Sequence, residues 1–85
     1  MNFIIQTVRG GLVTTRTIKA TSRTAALRAV LSEDGHGDVA VPRGARFLAA
    51  GEDRYEVAGV QDFGGTFYPH EDAMRIAHRR DRERR

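Results

Sequence analysis

Three carboxylates and one imidazole share the short glycine-rich stretch Glu33-Asp34-Gly35-His36-Gly37-Asp38. Divalent cations take oxygen ligands that converge from a tight loop, so this is where a metal site would be sought first. The spacing fits no EF-hand, and one histidine among carboxylates is a poor ligand set. A polar loop following a helix is the expectation. His70 and His78 stand eight apart with no HExxH between them, so no zinc site is assigned there either. Nucleophilic chemistry finds little to work with. The chain has no cysteine, Ser22 and Ser32 lie in no GxSxG elbow, and no glycine-rich loop ends in Lys-Ser/Thr to hold phosphates. Lys19 is the only lysine and falls in a strand pattern. Asp62-Phe63-Gly64 matches a kinase tripeptide without the lysine context or catalytic loop of a kinase. Arg9-Gly10-Gly11 is a single RGG triplet between two strand patterns and reads as a turn. No catalytic residue, metal ligand or cofactor is assigned, and the chain is expected not to be an enzyme.

Arginine is the side chain with an unexplained distribution. From Arg75 to Arg85 six arginines face only Asp81 and Glu83, net +4, whereas residues 1–74 hold eight basic and nine acidic groups, net −1. The basic character, pI about 10.2, therefore belongs to the C-terminus. A basic end on a near-neutral body points to a polyanion or an acidic protein face as partner.

The elements that must position these groups can be read from the pattern. FIIQTVRGGLVTTRTIKA is rich in β-branched residues around Gly10-Gly11 and predicts a two-residue hairpin. That turn sets Arg9 opposite Leu12, Thr7 opposite Thr14, Ile5 opposite Arg16 and Phe3 opposite Ile18. Both faces carry apolar residues; Phe3, Ile5 and Ile18 are taken as the core, and a one-residue slip of the turn would bury the face of Ile4, Val8 and Val13 instead. A helix over Thr21–Glu33 follows, capped by Thr21 or Ser22, stopped by Gly35, and buried through Ala26, Leu27, Val30 and Leu31. A three-strand meander is expected at Asp38–Val41, Ala45–Ala50 and Arg54–Val60, with a short extra strand in reserve at Thr66–Tyr68. Pro69 suits the first turn of a last helix with a thin stripe of Ala73, Met74 and Ala77, fraying past His78. The whole is one α+β domain over residues 1–85, ordered ββαβββα, with 78–85 a frayed basic end. Phe3, Phe47 and Phe67 are expected in the core.

No apolar run approaches the ~18 residues of a membrane span. The N-terminal segment lacks the basic start of a signal peptide, and cysteine is absent, so cytoplasmic residence is expected. Tyrosine and arginine anchor protein interfaces most often. The candidate partner-binding residues are therefore Arg23, Arg28, Arg46, Tyr55, Tyr68, Arg75, Arg79, Arg80 and Arg82.

The segments TRTIKATSRTAALRAVLSEDGHGDVAV and RFLAAGEDRYEVAG carry a likeness. A Thr/Ile strand ends in Ala20, a Ser/Thr-capped Ala-rich helix follows, and a glycine-turned hairpin closes the pattern. This arrangement resembles the small phage-encoded anti-CRISPR inhibitors of type I systems. The resemblance covers about half the chain and implies a non-enzymatic inhibitor that binds the crRNA-guided effector complex, Cascade, and blocks its target DNA. Many members of that group are acidic and look like DNA. This chain is basic, which directs the expectation to an acidic protein face or to nucleic acid. Residues 21–85 are also similar in order to the double-stranded RNA-binding domain. Where that family has a Lys-rich cluster, this chain has His70-Glu71-Asp72, which repels phosphate. The alternative function is thus a small basic nucleic-acid-binding module, and monomer is the default state.

Overall fold

A computed structural model describes residues 1–83; Arg84 and Arg85 of the basic end lie outside the described residues. The elements run β1 (Asn2–Arg9), β2 (Leu12–Lys19), α1 (Arg23–Glu33), β3 (Phe47–Ala50), β4 (Asp53–Gln61), β5 (Phe67–Tyr68) and α2 (Glu71–Glu83). They form an α+β fold with one five-stranded antiparallel sheet in the order β2-β1-β4-β3, β5 also pairing with β4. The order ββαβββα stands.

The first hairpin has the register that its Gly-Gly turn dictates. Arg9 pairs with Leu12, Ile5 with Arg16 and Phe3 with Ile18. Gly10 and Gly11 both have positive φ, 56° and 80°, as a turn matching the right-handed twist of the strands requires. Phe3 and Ile5 are fully buried, and Ile18 packs against them.

Helix α1 begins at Ser22, whose hydroxyl accepts from the Ala25 N–H at 3.1 Å. It ends in a Schellman motif. Gly35 takes φ 83°, its N–H donates to the Ser32 carbonyl at 3.1 Å, and the His36 N–H donates to the Leu31 carbonyl at 2.7 Å. Ala26, Leu27, Val30 and Leu31 are buried against Phe3, Ile5, Tyr55, Val57 and Val60 of the sheet. Helix α2 lies on the side that carries α1. It buries no residue completely, and Met74 is its contact with the core. The His70 ring caps it, Nδ1 accepting from the Ala73 N–H at 3.1 Å.

Two expectations are corrected. Asp38–Val41 is not a strand. Gly37 and the Val39-to-His36 hydrogen bond, 3.1 Å, turn the chain there, and Pro42 has no N–H to give a ladder. Val41 still reaches the core. The third member of the meander is instead β5, the short extra strand expected at Thr66–Tyr68 and found over Phe67–Tyr68. The second correction is aromatic. Phe47 is 70% exposed and Phe67 53% exposed. Phe47 pairs with Glu56 and Phe67 with Gln61, positions whose side chains point away from α1, and among the described residues no helix covers that face.

Candidate binding surface

Three of the seven arginines in residues 1–74, Arg9, Arg16 and Arg46, are spent on internal partners. Arg9 grips Asp53 with two hydrogen bonds, 2.9 and 2.7 Å. Arg16 grips Asp34 with two of 2.9 Å and donates to the Thr7 hydroxyl at 2.7 Å. The Tyr55 hydroxyl donates to Asp34 at 2.6 Å, and the His36 Nε2 meets Asp53 at 2.8 Å. These forked, charge-assisted bonds draw the acidic loop after α1 inward. Hydrogen bonds from Arg9, then from His36, hold the Asp53 carboxyl down to about 2. Arg16 above all lowers Asp34. Burial first, then the bond to Asp34, pushes the Tyr55 hydroxyl up to about 12. The loop that suggested cation binding is thus a structural tie between α1 and the sheet, and its inward carboxylate, Asp34, is already neutralised by the Arg16 guanidinium.

Tyr55 is consequently corrected as a partner-binding residue. It is 2% exposed, because it alternates onto the helix-facing side of β4 beside Leu48. Tyr68 is half-buried at the base of α2. Its hydroxyl donates to Asp62 at 3.1 Å, and its ring stands edge-on to His78 at 5.9 Å. Arg46 is turned to the backbone, donating to the Pro69 carbonyl at 2.8 Å. It holds the entry to α2 and does not face outward as expected. Arg28 is exposed on the outer side of α1, apart from the other arginines named below.

Arg23 and Arg75, more than fifty residues apart in sequence, come together. Both line a cleft of about 510 Å³ between the start of α1, the start of α2 and the turn at Arg43-Gly44. The hydroxyl residues Thr21, Ser22 and Thr24, the carboxylate of Glu71 and the apolar Met1 and Phe3 also line it. Arg43 was not foreseen. The Pro42-Arg43-Gly44 signal gave a turn, and a tight turn displays its central side chain; that is the clue the sequence held. Glu71 stands 3.7 Å from Arg23, and Arg75 meets Asp72 at 3.1 Å with both side chains well exposed. The exposed Arg75–Asp72 pair contributes about 0–1 kcal/mol, so an incoming anion can displace it, whereas Arg23 and Glu71 are both partly buried. Three guanidinium forks against one lining carboxylate suit planar or tetrahedral oxyanions.

The cleft continues along α2. Arg75, Arg79 and Arg82 follow one another at i, i+4 and i+7, one stripe of the helix. Arg79, Arg80 and Arg82 are exposed, and among the described residues none has a carboxylate within ion-pair distance. Beside the stripe, Phe63 stands fully in solvent at the tip of the β4–β5 turn. Among the described residues no group of three histidine, cysteine or acidic side chains is placed to hold a metal ion, and no helix is long and apolar enough to cross a membrane. No family model, curated protein or solved structure matches the chain.

Proposed function

We propose that this chain is a non-enzymatic inhibitor that binds an acidic protein face of a type I CRISPR effector complex and so denies that complex its target DNA. The observation that carries the binding surface is the double membership of Arg75. It lines the cleft with Arg23 and Arg43 and heads the stripe with Arg79 and Arg82, so cleft and stripe are one basic ridge. Within the body, Arg9 and Arg16 are committed to Asp53 and Asp34 and Arg46 to backbone, and the exposed Arg28 and Arg54 do not line the cleft. The choice of effector complex rests on the resemblance in pattern to the phage inhibitors. Arginine on a ridge engages carboxylates bidentately, and the hydroxyls at the start of α1 supply further donors. Occupation of the complex blocks DNA sterically; a basic surface cannot do so by resembling DNA. The site is cytoplasmic by this reading, in the host of a phage.

The test is a titration of purified, nuclease-treated type I effector complexes with the chain. Saturation at one to one, with loss of target-DNA binding, is expected. Removal of Arg79–Arg85, of which the last two lie outside the described residues, is expected to weaken capture and to leave the melting temperature nearly unchanged, because α2 has no fully buried residue. The alternative, a basic nucleic-acid module, predicts tight binding of free duplex with a log–log salt slope near about −0.9 per phosphate neutralised. That result, with no capture by any effector complex, would reverse the assignment.

A further inference from the structure

Strand β2 ends the sheet, with β1 on one side and no strand on the other among the described residues. The direction of its free backbone groups follows from the hairpin. The Ala20 N–H donates to the Met1 carbonyl at 2.9 Å. In an antiparallel ladder, directly opposed pairs alternate between hydrogen-bonded and non-bonded. Met1–Ala20 is a bonded pair, so Phe3–Ile18, Ile5–Arg16, Thr7–Thr14 and Arg9–Leu12 are bonded too. Leu12, Thr14, Arg16 and Ile18 spend their amides on β1. Val13, Thr15, Thr17 and Lys19 direct theirs to the open edge, and the side chains of these four are exposed.

Such an edge is normally blunted by proline, a bulge or inward charge. Here β2 contains no proline, and its ladder with β1 has no register shift. Its central charge, Arg16, is drawn off to Asp34. Only Lys19, at the strand's end, remains as a guard.

We infer that β2 pairs antiparallel with β2 of a second copy of this chain, about a two-fold axis at Thr15. The phase of the free amides restricts the choice of register. Odd-numbered residues must oppose odd-numbered ones, so neighbouring registers differ by a two-residue step. Centring on Thr15 opposes Thr15 to Thr15, Val13 to Thr17, Thr14 to Arg16 and Leu12 to Ile18. No like charges meet across the axis. Leu12, 67% exposed in the single chain, gains the apolar Ile18 of the other copy on the helix-bearing face. The register centred on Arg16 sets two arginines against each other, which is destabilising. The register centred on Thr14 runs into the Gly10-Gly11 turn and shortens the ladder. Charge and length thus favour Thr15, and the product is one continuous sheet through both copies. The pairing is independent of what the ridge binds.

The experiment is sedimentation equilibrium of the full chain over a wide concentration range, with residue-resolved amide exchange. The expected result is a species of twice the 9.4 kDa chain mass. The amides of Val13, Thr15 and Thr17 should then be protected at high concentration and exchange freely on dilution. Thr15→Lys places like charges across the axis, and Thr15→Pro removes an outward N–H that β1 does not use. Both are expected to give a folded monomer with the β1–β2 amides still protected. A chain that stays monomeric throughout would overturn the inference. So would a dimer in which those three amides exchange freely, or one that survives both substitutions.

Discussion

At the scale of single residues, Asp34 does the most. It closes α1, takes both nitrogens of the Arg16 fork and accepts from Tyr55. Asp34→Asn leaves the Arg16 charge half-shielded with a neutral partner. Removing one member of a fully buried ion pair costs about 3–5 kcal/mol. Arg16 retains 27% exposure, and solvent screening reduces the expected loss to about 2–3 kcal/mol, measurable by urea unfolding. Acid should act on the same tie. Asp34 and Asp53 both ionise more readily folded than unfolded. Their stabilisation is therefore complete above the ordinary carboxylate range and is lost as pH falls through the folded values, about 2 for Asp53. The melting temperature is expected to drop progressively below about pH 4, the ordinary aspartate value, and less steeply in Asp34→Asn. A profile as steep in the variant as in the parent would remove Asp34 from this role.

None of this tie was legible in the sequence. The acidic loop and the tyrosine were each visible. That Asp34 would meet Tyr55, twenty-one residues on, depends on how α1 lies across β4, and periodicity does not carry that information. The same gap misplaced Tyr55 as an interface anchor.

At the scale of elements, local signals decided what could be read. Gly10-Gly11 sets the hairpin register, and a two-residue turn leaves the strands no freedom to slip. The α1 cap, stripe and stop are all contiguous in sequence, and all three appear where the pattern put them. The meander was legible only in part. Gly37 and Pro42 break a run that had looked strand-like, and the replacement strand β5 is two residues long. What fixes β5 is a close approach invisible in the sequence. Ladder partners step from Ile4–Gly59 to Ile5–Val57, leaving Ala58 unpaired in a bulge. A side-chain carbon at Gly59 would lie 2.2 Å from the Tyr68 carbonyl oxygen and 2.7 Å from the Phe67 ring. Gly59→Ala is expected to push β5 from β4 and to cost about 1–3 kcal/mol, the range of overpacking elsewhere. Amide exchange at Phe67 and Tyr68 should accelerate with it. Unchanged stability would mean that β5 yields freely and does not hold the base of α2.

Over the whole molecule, two surfaces stand apart from the rest of the body. One is the open edge of β2. The other is the arginine ridge from Arg43 and Arg23 through Arg75 to Arg79 and Arg82. The charge of the C-terminus was plain in the sequence; its union with the cleft was not, because Arg23 and Arg75 meet only when α2 folds back beside α1 at the Arg23–Glu71 contact. Near-neutral totals hide such surfaces. Residues 1–74 are net −1, yet Arg9 and Arg16 spend their charge on Asp53 and Asp34, while Arg43 lines the cleft.

The most direct test of the ridge is charge reversal at its joint. Arg75→Glu with Arg79→Glu alters exposed positions only, so the fold, followed by circular dichroism, should persist. Isothermal titration of this double variant against a purified type I effector complex is expected to show at least a hundredfold weaker binding than the parent, about 2.7 kcal/mol, with stoichiometry near one in the parent. The parent's affinity should decline as salt rises, less steeply than for a duplex-DNA binder. Equal affinity of parent and double variant for the complex would contradict the account.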